Sequence, residues 1–392
     1  MAILNNYWAA QTAIFLIVFI VAVFVSARQK NDPGVMPKET SNELRGLAIL
    51  GVLFAHLTYG KFFGTEFLFP LGIWGGIAVN LFLFLSGYGL AASAISHPKT
   101  LWQFYQKRLT KIIVPLWLSL ALWLILDAVI LQRFYPLTEV IQSFFGFFPV
   151  AEMWQSINSP LWFLTPLLAF YLIWPILFRP KHPILSSLAV LGLSFAVLWP
   201  GWPVSEQVLS FYQTHFLALP LGAIFAVAMV SPQAVCKKCV RQQKCLAFWL
   251  VGRFKSAASK IGREKFLAQI LAGLKSWPTL LRLLFIVLLA AAAGYTAYYS
   301  GVGQGIWPEQ LIALLTMACL ILLFIVKKSK FALLEIFGVY SFEIYLLHWP
   351  LISRYDVVYR VLPPYLGTIA YLPILFAAAW LLNQLIKKVV RN

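Results

Sequence analysis

The chain has 392 residues, 61% of them hydrophobic and only 11% charged, with a mean hydropathy of +0.81. A soluble domain carries roughly 25% charged residues. No ordinary globular core accounts for this chain, and a net charge of +18 in so apolar a setting points to a membrane protein and away from a nucleic-acid binder. Four cysteines are too few for a disulfide scaffold.

Apolar stretches long enough to cross a hydrocarbon core of roughly 30 Å recur at 9–27, 44–60, 74–94, 112–131, 160–178, 183–200, 208–230, 280–299, 307–326, 333–353 and 365–386. These segments predict an all-α integral membrane protein of about eleven transmembrane helices, without internal repeats. The first is no signal peptide, because the first basic residue, Arg28, follows the apolar run. With the N-terminus outside and the C-terminus inside, every lysine and arginine falls in an inner segment except Lys61, Arg133, Arg354 and Arg360. The positive-inside rule asks for this distribution.

Polar side chains inside spans are costly and mark functional sites by default. In the second span Arg45 and His56 are eleven residues apart, about three turns plus roughly 20°, so they share one stripe roughly 16 Å apart along the axis. Arg45 then sits at the inner surface, and His56 projects past mid-membrane as a base or as an interhelical hydrogen-bonding group. In the third span Gly76, Asn80 and Gly87 share a face, the small residues suiting close packing and Asn80 open to a site role. Before the fourth span Arg108 and Lys111, at i and i+3, suit either lipid headgroups or the phosphates of a cytoplasmic donor. Asp127 and His215 fall in the outer halves of the fourth and seventh spans. In the tenth, Ser341, Tyr345 and His348 form a polar stripe in the outer half. Glu343 is about 140° from His348 on the wheel and is expected to pair with another helix.

The inner segment 231–279 opens with Cys236, Cys239 and Cys245 and continues with Phe266, Leu267, Ile270, Leu271 and Leu274 at helical spacing among basic residues. A basic amphipathic helix on the inner leaflet is the reading this supports. Three cysteines fall short of the four ligands of a structural zinc site, and lipidation is the remaining alternative.

These elements together resemble the acyltransferase-3 family of integral membrane O-acyltransferases. Arg45 and His56 match its Arg-x10-His signature, and Ala78-Val79-Asn80 through Ser86-Gly87-Tyr88 is similar to its Gly-Val-Asp-to-Ser-Gly-Phe stretch, with Asn80 in place of Asp. Arg108-Leu-Thr-Lys111 ahead of Pro115 is similar to its Arg-x-x-Arg pair. Pro160-Leu161-Trp162-Phe163-Leu164 and Ser341-to-His348 resemble two further elements. The resemblance implies a ten-helix acyltransferase domain over 41–390, preceded at 1–40 by an extra helix and linker.

It further implies transfer of an acyl group, acetyl first among them, from acetyl-CoA or another short acyl-CoA to a hydroxyl of an extracytoplasmic glycan or related acceptor at the plasma membrane. Arg45, Arg108 and Lys111 would hold the donor. His56 would be catalytic, as general base or acyl-carrying nucleophile, with Arg45 beside it in the signature. Asn80, Tyr345, His348, Ser341 and Trp162 would meet the substrate. The lipid bilayer and a separate SGNH-type extracytoplasmic protein are the expected partners, with neither metal nor nucleic acid. A transporter or flippase of a glycan or lipid-linked substrate is the alternative, since it too places polar groups at mid-membrane.

Overall fold

The computed structural model describes residues 7–31, 34–58, 67–229, 266–300 and 305–391. The described helices are α1 (Trp8–Val25), α2 (Lys38–Thr58), α3 (Trp74–Ser96), α4 (Leu101–Ile130), α5 (Leu137–Phe144), α6 (Leu164–Leu177), α7 (Pro183–Ser194), α8 (Glu206–His215) and α9 (Ala218–Met229). They continue with α10 (Phe266–Ser276), α11 (Thr279–Tyr299), α12 (Ile306–Val326), α13 (Ala332–Val339), α14 (Ser341–Ser353), the single turn α15 (Val358–Val361) and α16 (Pro364–Arg391). Among the described residues, eight segments are long and apolar enough to cross a membrane. Large apolar side chains on them, such as Ile17, Phe24, Ile125, Val129, Leu280 and Leu288, are each more than 60% exposed. An aqueous surface does not tolerate that much apolar area, whereas a bilayer favours it.

The other three expected spans take different forms. α2 is 21 residues long but opens on the polar run Lys38-Glu-Thr-Ser-Asn-Glu43. The stretch 183–198 is a short helix finished by a 3-10 turn. The stretch expected as one helix over 333–353 is two, α13 and α14, because Tyr340 leaves helical geometry (φ −102°, ψ 15°). The all-α expectation is also modified by one small feature: β1 (Ala27–Gln29) pairs antiparallel with β2 (Ser329–Phe331), Arg28 opposite Lys330.

Two backbone-on-backbone crossings organise the interior. Where α2 meets α13, a Cβ on Gly46 would lie 1.8 Å from the Leu334 carbonyl oxygen, and one on Gly338 would lie 1.8 Å from that of Asn42. Where α3 meets α9, Gly87 and Gly222 stand in the same relation to Leu219 and Phe84, at 2.0 Å each. Within a bilayer, helices associate by such close packing of small residues. Gly87 was legible as a packing position; its partner Gly222 was not.

Polar residues close one end of the bundle. Lys327 bonds the carboxylate of Glu43, and Lys330 reaches Glu39 at 2.9 Å and Glu335 at 3.1 Å. Lys30 donates to the Phe324 carbonyl at 2.6 Å. α10 docks here as well: Leu271 is buried in the main core, Ile270 is exposed, and Lys275 donates to the Gly34 carbonyl at 2.6 Å. Of the amphipathic segment's apolar stripe, Leu271 and Leu274 pack on the protein. Cys236, Cys239 and Cys245 lie outside the described residues.

Candidate functional site

α4 sets the scale of the site. It begins at a capping box, Thr100 accepting from the Gln103 amide and Gln103 from that of Thr100. It then runs unbroken through Pro115 for 30 residues, about 45 Å at 1.5 Å per residue. Arg108 and Lys111 therefore stand on the same rod as Asp127, near its opposite ends.

At the Arg108 end, a cavity of about 360 Å³ opens between α3, α4 and α6, lined among others by His97, Lys99, Lys107, Arg108 and Arg179 and, among the described residues, by no carboxylate. Arg108 also lies over the Tyr171 ring, 5.8 Å from its centroid. Arg45 sits close enough to feel the charge of Arg108, and its guanidinium donates to Asn42 at 3.2 Å. Of the three basic residues expected to hold a donor, only Arg108 lines the cavity; Arg45 is half-buried behind it and Lys111 is exposed. Arg179 was missed, having no motif around it.

About 16 Å along α2 from Arg45, His56 meets His348 of α14. Its Nδ1 lies 2.7 Å from His348 Nε2, the ring planes 8° apart and the centroids separated by 5.0 Å. Near-parallel rings in nitrogen-to-nitrogen contact at that separation meet edge to edge. His348 Nδ1 in turn lies 2.8 Å from the Tyr345 carbonyl. That oxygen only accepts, so His348 Nδ1 carries the hydrogen. In neutral His348 the lone pair is then on Nε2, so His56 Nδ1 must donate to it. The free lone pair of neutral His56 is left on its Nε2, the one ring nitrogen of the pair with no partner among the described residues.

The surroundings hold this arrangement. Pro350 has no N–H and cannot close the helical bond to the Leu346 carbonyl. That carbonyl accepts from Trp123 Nε1 at 3.2 Å and Asn158 Nδ2 at 3.0 Å. Tyr371 donates to the His348 carbonyl at 3.0 Å, and Trp349 meets the His56 ring edge-on, centroids 5.3 Å apart. The Tyr345 hydroxyl donates to the Pro160 carbonyl, which fixes the position of Tyr345 and uses its only proton. Ser341 is buried at the start of α14, about 10 Å along the helix from His348. Glu343 faces away and accepts from Asn383 of α16 at 2.5 Å, as its place on the wheel required.

The remaining expected residues gather separately. Asn80 Oδ1 accepts from His215 Nδ1 at 2.9 Å. The Trp162 ring lies along His215, 6.3 Å away and tilted by 18°. Trp162 and His215 line an apolar cavity of about 370 Å³ between α6, α7 and α8. The Asn80 side-chain nitrogen is buried without a partner among the described residues. The outer polar layer read from the sequence is thus two histidine pairs, His56–His348 and His215–Asn80, bridged by Phe163, which packs against Trp162 and Tyr345.

Beyond the histidines, a clamp ties the far end of the bundle together. Asp127, fully buried, accepts from Tyr135 and Tyr355, both at 2.6 Å, and pairs with Arg354 at 3.1 Å. Burial and the hydrogen bonds to Asp127 push both tyrosine hydroxyls well above their ordinary pKa. Arg354 also donates to the carbonyls of Ser156 and Ile157, so the loop before Pro160 is held against the helix that carries His348.

No curated protein and no solved structure is significantly similar to the chain. The family model described as an acyltransferase domain, that of acyltransferase-3, matches residues 42–384. That interval contains Arg45, His56, Arg108 and His348 in order and leaves out α1. The chain is a multi-pass membrane protein and belongs to the acyltransferase-3 family.

Proposed function

We propose that the chain transfers an acyl group, acetyl first among them, from cytoplasmic acyl-CoA to a hydroxyl of an extracytoplasmic glycan or related acceptor, with its N-terminus outside. The observation that carries this reading is the His56 Nε2, without a partner among the described residues and backed by His348, in a helix whose other end approaches the basic cavity. A cavity with several cations and no carboxylate among its described lining residues suits the phosphates of an anionic donor, which Arg can bind bidentately. Arg108 and Arg179 would hold them, with Arg45 adding positive charge from behind.

In this reading His56 Nε2 removes the proton of the acceptor hydroxyl as its oxygen bonds to the thioester carbon. The carbon–sulfur bond then breaks, and His56 returns the proton to the departing thiolate, leaving an ester and free thiol. When His56 is protonated its Nδ1–H still donates to His348 Nε2, so His348 steadies the cation without changing tautomer. Asn80 and Trp162 contribute to substrate binding from the neighbouring pair. A separate SGNH-type protein outside the cell could act on the product.

The test supplies radiolabelled acetyl-CoA to inverted and to right-side-out membrane vesicles with acceptor present. Label reaching the acceptor from the cytoplasmic face alone supports the reading. Failure of every short acyl-CoA from either face would overturn it.

A further inference from the structure

The end of the bundle opposite the basic cavity holds a cleft of about 370 Å³ built from residues 133–158, within the size range of small-molecule sites. Its polar lining includes Glu139, Gln142, Glu152, Gln155 and Asn158. Among the described lining residues the one cation, Arg133, is already committed. Arg133 donates to the carbonyls of Trp154 and Gln155, and its guanidinium lies 4.9 Å from the centre of the Tyr135 ring. Glu139 spends one oxygen on the Ile157 amide, at 2.9 Å. The exposed Glu152 carboxylate has no side-chain partner among the described residues.

Asn158 supplies an independent sign of a ligand. It is 3% exposed and lines the cleft, yet its side-chain oxygen has no partner among the described residues. A buried acceptor left unpaired is costly unless something donates to it. Its nitrogen is tied to Leu346, two residues before His348, and Met153 on the same loop accepts from Trp349 at 3.0 Å. The cleft is therefore fastened directly to the helix that bears His348.

We infer that this cleft recognises the acceptor, that the acceptor part bound here is an uncharged carbohydrate, and that Glu152, Gln155 and Asn158 bind its hydroxyls. Ionised carboxylates and amide oxygens accept hydrogen bonds from hydroxyl groups, and two carboxylates with no free cation among the described lining residues repel an anionic sugar. The inference rests on the proposed acyl transfer for the word acceptor, but not for the binding itself.

The experiment uses the full chain in lipid nanodiscs and saturation-transfer NMR. The probes are neutral tetrasaccharides of glucose, mannose, galactose and N-acetylglucosamine, with the anionic tetragalacturonate alongside. The expected result is binding of at least one neutral probe in preference to tetragalacturonate, weakened fivefold or more by Glu152→Gln and by Gln155→Ala. Glu152 is exposed and makes no side-chain bond among the described residues, so its variants keep the fold, and Glu152→Lys should improve tetragalacturonate binding. Binding of no neutral probe, unchanged binding in both variants, or preference of the native chain for tetragalacturonate would each overturn the site. Because turnover is not needed, sugar binding without acyl transfer would overturn the enzymatic reading alone. Acyl transfer with a native acceptor KM in Glu152→Gln and Gln155→Ala would overturn the site alone.

Discussion

His56 and His348, 292 residues apart in the chain, share a 2.7 Å nitrogen-to-nitrogen contact. The Tyr345 carbonyl behind His348 fixes the direction of that bond. One helical carbonyl thereby decides which nitrogen of a histidine on another helix is free to react. A single side-chain motif could not achieve this, since the imidazole of an isolated His exchanges tautomers freely.

The basic cavity separates residues that the motif treats alike. Arg108→Ala and Arg179→Ala should each raise the KM for acyl-CoA about tenfold or more, the usual cost of losing a hydrogen bond to a charged group. Lys111→Ala should change it much less, because Lys111 is exposed and outside the cavity wall. Steady-state kinetics with varied donor checks the ranking, and equal effects at all three positions would contradict it.

Asp127 is matched by three partners, and its loss leaves Arg354 buried without a counter-charge. Asp127→Ala is expected to cost about 3–5 kcal/mol of stability. The double substitution Asp127→Leu with Arg354→Met should recover much of that, since it leaves no unpaired charge. Denaturation of the detergent-solubilised protein measures both.

The crossings of α2 with α13 and α3 with α9 leave no room for a methyl group. Gly87→Ala and Gly338→Ala must push backbone carbonyls aside and should sharply lower the folded yield on size exclusion. Gly192→Ala and Gly294→Ala, whose added Cβ meets nothing within 4 Å, should behave as the native chain.

Lys30, in the linker after β1, is lowered by burial, and by the nearby Lys327, from 10.5 to about 8, against the opposing pull of Glu43 and Glu39. The folded chain then releases this proton near pH 8 while the unfolded chain keeps it to about pH 10.5. Stability should rise over that interval, because there the unfolded state binds more protons. Melting curves from pH 7.5 to 9.5 should show the rise in the native chain and a smaller one in Lys30→Met; parallel curves would contradict it.

Much of the architecture was legible because membrane spans are written locally. The break at Tyr340 was not, since α13 is set by its contact with α2, and nothing near residue 340 announces that. At the site, Arg45, His56 and His348 could be named from their motifs. The split of the outer layer into two pairs could not, as it depends on which helices face each other. Asn158 was hidden for a related reason: its partner carbonyl is free only because Pro350 lies four residues further along another helix. Arg179 reaches the basic cavity through the way α6 ends beside α4, a purely tertiary fact.

The histidine pair is tested most directly by acyl transfer in inverted vesicles carrying acceptor in the lumen, comparing the native chain with His56→Ala, His348→Ala and His348→Gln. His56→Ala should lose about 10²–10⁴-fold in rate, the usual contribution of a general base. His348→Ala should fall as well, while His348→Gln should keep more activity, because its amide oxygen can still accept from His56 Nδ1. Equal transfer by the native chain and His56→Ala would contradict the assignment.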